Sequence, residues 1–434
     1  MRVAVYTLGC KVNQFESAAI AEDFRAAGAE IVSYREEADI YIVNTCAVTS
    51  RAAYQSRQKL RSIRRARKDA RIVATGCHVQ TESQEILDSV PGQLCLIGND
   101  QKARLPELAM REDDCLEFYV GNIGSVKTIA PFRVTHTMDR TRAYLRIQDG
   151  CSSFCSYCIV PFARGRTRSV PPGEVLDQVR IMADTGVREI VVSGIHVGQY
   201  GADLPDGPPL LILLERLCSA FPDIRFRLSS IEPTEVTEDM ISWAAATPNF
   251  CPHWHIPLQS GSNTVLSRMN RHYSASFYGK LITSVRAAMP HAAIGTDVLA
   301  GFPGEDEKAF RETVDLLTGL PVTYCHVFPY SSRPGTMASF MPNRVSKKEK
   351  TGRIKVIQKL GEKKKQAFFH NQKGTVHRCL VEQIDRNTGM WRGHSANYIP
   401  VLLKDSPTTE NFRNRLVTVK ITEVRQGHVL GKVL

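Results

Sequence analysis

Cys151-Ser-Ser-Phe-Cys155-Ser-Tyr-Cys158 sets three thiols in a C-x3-C-x2-C run, directly after the apolar segment Ala143-Tyr-Leu-Arg-Ile147. Three thiolates at this spacing can wrap one face of an iron–sulfur cube and leave its fourth iron without a protein ligand. An iron left open in this way can bind and cleave a small molecule as well as store an electron. Zinc is the alternative, but a tetrahedral zinc site wants a fourth cysteine or histidine close by, and none follows immediately. Tyr157, beside the last thiol, is placed either to flank an adenine-containing cofactor or to pack beneath the loop.

A second set lies upstream, where Thr7-Leu-Gly-Cys10, Val43-Asn-Thr-Cys46 and Ala74-Thr-Gly-Cys77 each end a segment that reads as a strand. The carboxyl ends of parallel strands share one edge of the sheet, and helix N-termini and variable loops gather ligands there. Cysteines far apart in the chain can therefore meet, and Gly9 and Gly76 would let the backbone come close to what they hold. Any one of the three reads equally well as a small buried side chain. Three at equivalent positions point to a shared cofactor. The remaining six of the twelve cysteines are Cys95, Cys115, Cys218, Cys251, Cys325 and Cys379. They are scattered without the density of a disulfide scaffold, and Cys95 lies inside an apolar strand as core.

The elements that must position these thiols predict an α/β protein of several domains. Over residues 1–125, strands at 2–7, 39–44, 71–75 and 94–97 alternate with helices at 14–27 and 50–67, which predicts a parallel α/β domain around the upstream cysteines. Residues 138–345 repeat the unit, with strands at 143–148, 189–193, 225–230, 253–258, 292–298 and 323–329. Helices fill the gaps at 173–184, 210–219, 273–288 and 305–317. Six units predict an open (β/α)6 partial barrel, since closure takes about eight. A basic amphipathic helix over 346–370 follows. Strands at 376–384, 390–398, 415–424 and 428–433 then predict a small antiparallel β-barrel over 371–434.

The barrel's working face is formed by the loops after its strands, so residues there are candidates for holding cofactor or substrate. Ser193 and Gly194 end the second strand, where backbone groups could meet a ligand's polar tail. Glu232, after the third, could hold a ribose hydroxyl or an ammonium; Gln259 and Ser260, after the fourth, could hydrogen-bond within the cavity. Asp297, at the fifth, is a candidate substrate or cofactor contact, and His255 reads equally as core histidine or pocket residue. Glycine and proline at such places also shape turns; the shared location is the stronger signal.

A formal charge of +12, from 56 basic against 44 acidic residues, favours a polyanionic partner. Lys59, Arg61, Arg64, Arg65, Arg67, Lys68 and Arg71 crowd one helix and its end, as a phosphate-binding face would. Arg164, Arg166 and Arg168 follow the cysteine loop and could guide a polynucleotide to it. In the last domain Arg392 and His394, with Arg378, Trp391, Tyr398, Arg413 and Arg415, suit an RNA surface. No apolar run has membrane-spanning length and no charged-then-apolar leader opens the chain, so a soluble cytoplasmic protein with no membrane partner is expected.

Taken together, these residues resemble the radical S-adenosylmethionine methylthiotransferases over essentially the whole chain. Cys151, Cys155 and Cys158 match that family's radical-cluster loop, Cys10, Cys46 and Cys77 its three N-terminal ligands, and the last domain its TRAM domain. Gly9-Cys-Lys-Val-Asn-Gln-Phe-Glu-Ser17, Asn44-Thr-Cys-Ala-Val-Thr49 and Arg146-Ile-Gln-Asp-Gly-Cys151 are similar to the branch that acts on threonylcarbamoyladenosine in tRNA. The Gly-Cys-Gln-Met-Asn opening of the isopentenyladenosine branch and the Gly-Cys-Ala-Lys-Asn opening of the ribosomal-protein branch are both missing. Gly76-Cys-His-Val-Gln80 departs from the commoner Gly-Cys-Tyr/Leu-Ala-Gln form, with Cys77 retained.

The resemblance implies two [4Fe-4S] clusters and S-adenosylmethionine, two molecules of which are consumed per modified base. It also implies a reducing donor such as flavodoxin or ferredoxin. The implied target is adenosine 37, next to the anticodon in the anticodon stem-loop of tRNAs that read codons beginning with A. Replacing the unactivated C2–H bond of adenine is beyond acid–base side chains, and radical chemistry belongs to the cofactor. The alternatives are the same chemistry on isopentenyladenosine 37 or on a ribosomal protein, and a radical tRNA methyltransferase that inserts no sulfur.

Overall fold

The computed structural model describes residues 1–111, 117–130, 132–135, 141–404, 406 and 410–434. The N-terminal unit runs β1 (Arg2–Thr7), α1 (Lys11–Ala26), β2 (Glu30–Val32), β3 (Ile40–Thr45), α2 (Ser50–Ala66), β4 (Arg71–Gly76), α3 (Cys77–Ser89), β5 (Cys95–Ile97), α4 (Leu105–Ala109) and β6 (Glu117–Tyr119). Its strands form one parallel sheet in the order β2-β1-β3-β4-β5-β6. Parallel strands covered on both faces are apolar throughout, and every residue of β3 is buried. Val3, Ile42 and Val73 pack with Ile20 and Phe24 on one face, and Ala4, Tyr41, Val43 and Ile72 with Leu60 and Ile63 on the other. The edge strands β2 and β6 were not expected from the sequence; three residues each are too few to show a period.

The central unit runs β7 (Arg142–Arg146), β8 (Gln148–Asp149), α5 (Val160–Arg164), β9 (Arg168–Ser169), α6 (Pro172–Asp184), β10 (Glu189–Ser193), α7 (Leu210–Ala220), β11 (Arg225–Leu228) and α8 (Glu238–Ala246). It continues through β12 (His253–His255), α9 (Asn263–Arg268), α10 (Ala275–Ala288), β13 (Ala293–Ala300), α11 (Glu307–Gly319) and β14 (Tyr324–Pro329). Two three-stranded parallel sheets, β11-β10-β7 and β12-β13-β14, are stitched by the bridges Phe226–Phe250 and Ser230–His255. The result is the open barrel of six strands, with β7 and β14 as its free edges. Ala143, Leu145, Ile190, Val192, Phe226, Leu228 and Ile294 face the surrounding helices. The alternate positions, among them Tyr144, Arg227, His255, Asp297 and His326, therefore turn inward.

The long helix α12 (Lys347–Asn371) starts at a capping box between Ser346 and Glu349 and lies close on β14, where a Cβ at Gly361 would meet Cys325 at 3.2 Å. The last domain is a closed barrel of β15 (Val376–Ile384), β16 (Trp391–Ser395), β17 (Pro400–Lys404), β18 (Leu416–Arg425) and β19 (His428–Val433). It has five strands, not four, and it is not wholly antiparallel: β17 and β19 pair in parallel to close it. The expected strand over 390–398 breaks after Ser395, where the Ser395 side chain binds Asn397 and the Ile399 N–H and Tyr398 takes a φ of 66°. A buried carboxylate docks this barrel on the amino ends of the central strands. Glu189 accepts from Arg225 Nε at 2.5 Å and Arg227 Nε at 2.8 Å. Those two guanidiniums donate onward to the carbonyls of Arg378, His394 and Ala396.

Candidate active site

The cysteine loop leaves β8 at Asp149-Gly150-Cys151. Gly150 has a φ of +72°, and a Cβ there would come within 2.0 Å of the Arg166 carbonyl oxygen, so the turn accepts only glycine. Cys151 Sγ lies 3.3 Å from His196 Nδ1 and accepts from the Ser153 N–H at 3.5 Å. His196 is fixed from its other side by Glu235, 2.5 Å from Nε2. Burial raises the Cys151 thiol, but the bond to and charge of His196 and the hydrogen bonds from Ser153 together outweigh it, and the net direction is down. Burial pushes Cys155 up and Cys158 up to about 12, so without a metal these two hold their protons. The Tyr157 hydroxyl accepts from Arg271 at 2.6 Å and its ring meets Phe302 edge-on, which fixes it beneath the loop. Glu232 pairs with the same Arg271. That pair holds its carboxylate beside Tyr157 of the cysteine loop, which Arg271 also binds.

The upstream cysteines meet as the strand-end argument requires. A Cβ on Gly9, whose φ is +102°, would lie 3.0 Å from Cys46 Sγ, so the end of β1 sits against the end of β3. The Asn13 side chain ties the same ends, donating to the carbonyls of Leu8 at 2.7 Å and Thr45 at 3.1 Å. Burial and the neighbouring Cys77 push the Cys46 thiol up to about 12, and burial raises Cys10. Cys77 packs with Ala47, Ile159 and Ala163. Ile159 directly follows Cys158, so the two triads adjoin.

The donor sets fit clusters better than single ions. Among the described residues, two groups of three ligating atoms converge within 4.8 Å, His255–Asp297–His326 and His78–Glu82–Glu85, and neither cysteine triad is one of them. Three soft donors held further apart than one zinc ion would draw them suit a multi-iron core. On the barrel side, Ser193 is buried at the end of β10. A Cβ on Gly194 would meet Gln148 Oε1 at 2.8 Å, the atom that accepts from the His196 N–H at 2.8 Å. Ser229 Oγ is buried there without a partner. Gln259 sits at a φ of 63° with its N–H on the Asp297 carbonyl.

Ser260 corrects its expected role: its hydroxyl faces Thr313 of α11 and the Ser262 N–H, away from the barrel interior. Asp297 does face inward, with Oδ1 at 3.1 Å from His255 Nε2 and 3.4 Å from His326 Nδ1. Burial raises its carboxyl, and the two imidazoles more than reverse the shift.

The arginines call for the larger correction. Arg164 is 1% exposed, and its guanidinium donates to Glu16 Oε1 at 2.8 Å and Asp149 Oδ1 at 2.9 Å. Arg168 is also buried, 3.4 Å from Asp149. Arg164 fastens α1 to the cysteine loop, Arg168 braces Asp149 and the Arg164 carbonyl, and neither can meet RNA; of the three, Arg166 alone reaches solvent. In the last barrel His394 is spent on Glu382 at 3.1 Å and on stacking with Tyr398, while Arg392 stays half-exposed near Asp385. The basic helix α2 is largely satisfied internally. Arg61 donates to the Ser89 carbonyl at the end of α3, Arg64 to the carbonyls of Lys68 and Ala70, Arg67 pairs with Glu37, Arg71 with Glu117, and Lys59 lies over Tyr6 and Tyr34. Arg65 and Lys68 remain exposed.

His196, Arg271 and His326 were not singled out from sequence, because each matters through partners distant in the chain. Lys11 opens α1 directly after Cys10. Burial, then Arg227 and Arg142, lower its ammonium to about 8, while Cys10 and Asp297 act the other way.

Residues 2–98 match a family described as uncharacterized, UPF0004, and residues 145–317 match the radical SAM superfamily. Over 96% of its length, and 93% of the relative's, the chain is 37% identical to Threonylcarbamoyladenosine tRNA methylthiotransferase MtaB of Bacillus subtilis. The chain belongs to the radical S-adenosylmethionine methylthiotransferases. This methylthiotransferase is 36% identical to the Aquifex aeolicus protein of the same description, over 89% of this chain and 94% of that one. It is 30% identical to a tRNA-2-methylthio-N(6)-dimethylallyladenosine synthase of Caldicellulosiruptor saccharolyticus, over 99% and 92%. Among solved structures, it shares its fold with the radical S-adenosylmethionine methyltransferase TsrM of Kitasatospora setae. That likeness has a TM-score of 0.56 at 16% identity, over 75% of this chain and 72% of that one.

Proposed function

We propose that this methylthiotransferase converts threonylcarbamoyladenosine 37 of tRNA to its 2-methylthio derivative. The observation that carries the reading is the meeting of two cysteine triads, through Cys77 and Ile159, in a chain whose near-full-length relatives include threonylcarbamoyladenosine methylthiotransferases. Cys151, Cys155 and Cys158 hold one [4Fe-4S] cluster, and Cys10, Cys46 and Cys77 hold the other. When bound, these clusters supply the reductive cleavage of S-adenosylmethionine to a hydrogen-abstracting radical and the sulfur that replaces the C2 hydrogen.

The chain's own residues do the placing. Ser193 and Gly194 offer backbone groups beside the radical triad to the amino-acid end of S-adenosylmethionine. Tyr157 is locked by Arg271 and keeps the loop in one conformation. Asp297, fixed between His255 and His326, presents an acceptor inside the barrel, where the base must lie. The N-terminal unit lies along the barrel beside β7 through Phe15, and the last barrel covers the amino ends of the strands. Together they limit access of water to a radical that would otherwise be quenched.

tRNA is the polyanion that the +12 charge favours, and exposed Arg166, Arg65 and Lys68 are suited to its phosphates. No helix among the described residues is long and apolar enough to cross a membrane. The electron donor in this reading is a cytoplasmic flavodoxin or ferredoxin. Mass spectrometry of tRNA nucleosides from cells with and without the gene tests the reading. Loss of the methylthio form with accumulation of threonylcarbamoyladenosine supports it; loss of the isopentenyladenosine derivative, or an unchanged profile, overturns it.

A further inference from the structure

We propose that His255, Asp297 and His326 bind a divalent transition-metal ion of the zinc type on the inner face of the open barrel. The site is separate from both cysteine triads and does not depend on which base is modified. Its three residues stand on the adjacent parallel strands β12, β13 and β14. Asp297 is the direct register partner of His326, and His255 is that of Gly295, two residues before Asp297 on the same face. The three ligating atoms all lie within 4.8 Å of one another. Asp297 Oδ1 is 3.1 Å from His255 Nε2 and 3.4 Å from His326 Nδ1. A tetrahedral zinc ion with bonds of about 2.0–2.1 Å sets its ligand atoms about 3.3 Å apart, so both distances match its edges. His326, whose side chain is more than half exposed, is free to rotate and close the third edge.

The approach of His255 to Asp297 is not a hydrogen bond. Nε2 and Oδ1 are both shut off from water, and neither has a hydrogen-bond partner in spite of their 3.1 Å separation. Two buried polar atoms left unserved are costly, and a cation between them serves both. His255 is 8% exposed, and Ser230 Oγ lies 2.6 Å from its Nδ1. With the proton on Nδ1 and donated to that hydroxyl, Nε2 turns a bare lone pair toward Asp297, as a metal-bound histidine does. Tyr324 stacks beside the imidazole with ring planes 22° apart, and its own hydroxyl is held by His253 at 2.8 Å. Among the described residues Asp297 has no lysine or arginine as counter-ion. The other converging group, His78–Glu82–Glu85, differs on this point. Arg57 lies 2.7 Å from Glu85 and Arg333 pairs with Glu82, so its negative charge is already met. Two imidazoles and one carboxylate are the donor set of open metal sites, which keep a position for water or substrate. Here that position faces the interior of the barrel.

Zinc itself is the probe. Reconstituted enzyme carrying both clusters is dialysed anaerobically against zinc, zinc and iron are counted, and zinc K-edge absorption fine structure reads the ligands. Wild-type enzyme retains one zinc per chain at unchanged iron, with nitrogen and oxygen ligands at about 2.0–2.1 Å and no sulfur at about 2.3 Å. His326→Ala and Asp297→Asn weaken zinc binding by more than about tenfold, since losing a ligand costs at least as much as losing the partner behind it. His326 is exposed enough that its truncation leaves the fold intact, and Glu85→Gln keeps the zinc. Wild-type enzyme that retains no zinc overturns the proposal. Sulfur in the zinc shell also overturns it, because the metal then sits in a cysteine triad. Zinc binding that survives His326→Ala, or that is lost in Glu85→Gln, assigns the ion elsewhere and overturns it as well.

Discussion

Replacing Arg164 by methionine removes the central cation of a buried network that joins α1 to the cysteine loop. Its guanidinium serves Glu16 Oε1 at 2.8 Å, Asp149 Oδ1 at 2.9 Å and Asn13 Oδ1. Breaking a buried pair by deleting one partner costs about 3–5 kcal/mol. Here the lower end applies, because neither acid is left alone. Glu16 keeps Lys102 at 2.7 Å and Arg146 at 3.4 Å, and Asp149 keeps Arg168 at 3.4 Å. About 3 kcal/mol raises local opening of the interface more than a hundredfold. Hydrogen exchange should therefore speed up in α1 and across the cysteine loop, and the ratio of 5′-deoxyadenosine to methylthiolated base should rise as the two triads lose register. The pH dependence has a definite sign. Burial alone would raise the Glu16 carboxyl, but Arg164 and Lys102 hold it far below its ordinary 4.5. Its contribution is fully present above about pH 4.5 and is lost as pH falls toward the folded value, so the gap between wild type and Arg164→Met closes on acidification. Exchange in α1 within twofold of wild type at neutral pH would refute the reasoning.

Two further outcomes follow from the same geometry. Cys155→Ala should abolish reductive cleavage of S-adenosylmethionine, measured as 5′-deoxyadenosine, whereas Cys46→Ala should retain some abortive cleavage and lose methylthio product; full thiolation by the latter would remove Cys46 from the sulfur site. Asp23 in α1 has its carboxyl raised from 3.8 to about 6, first by burial and then by Glu22. Its folded form binds the proton more tightly than its unfolded form, so stability falls as pH rises through 4 to 6. Asp23→Asn should melt higher than wild type at pH 8, with the difference vanishing near pH 4; equal melting temperatures at both pH values would contradict this.

Both triads were legible in the sequence for a local reason. The C-x3-C-x2-C run is a continuous stretch of chain, and Cys10, Cys46 and Cys77 each follow an apolar strand whose direction is set by the strand–helix rhythm. Parallel strands put their carboxyl ends on one edge, so the meeting of those three needed no knowledge of side-chain packing. The six strands of the open barrel were readable on the same principle. The closing strand β17 was not, because the break at Ser395 depends on side-chain hydrogen bonds of the turn rather than on hydrophobic period.

Charge was where sequence misled. An arginine reads as a surface cation until its partners are known. For Arg164 the partners, Glu16 and Asp149, are 148 and 15 residues away; for His394 the partner Glu382 lies across a strand pair. The same holds for Ser260, whose hydroxyl was turned from the cavity by Thr313 of another helix. The amino-acid order thus determined which ligand atoms exist and which sheet edge carries them, since both depend on neighbours in the chain. Only the tertiary structure decided which charges are spent internally, like Arg164, and which, like Arg166, stay exposed. Ion pairing is a property of distance in space, and the chain brings those partners together only when it has folded.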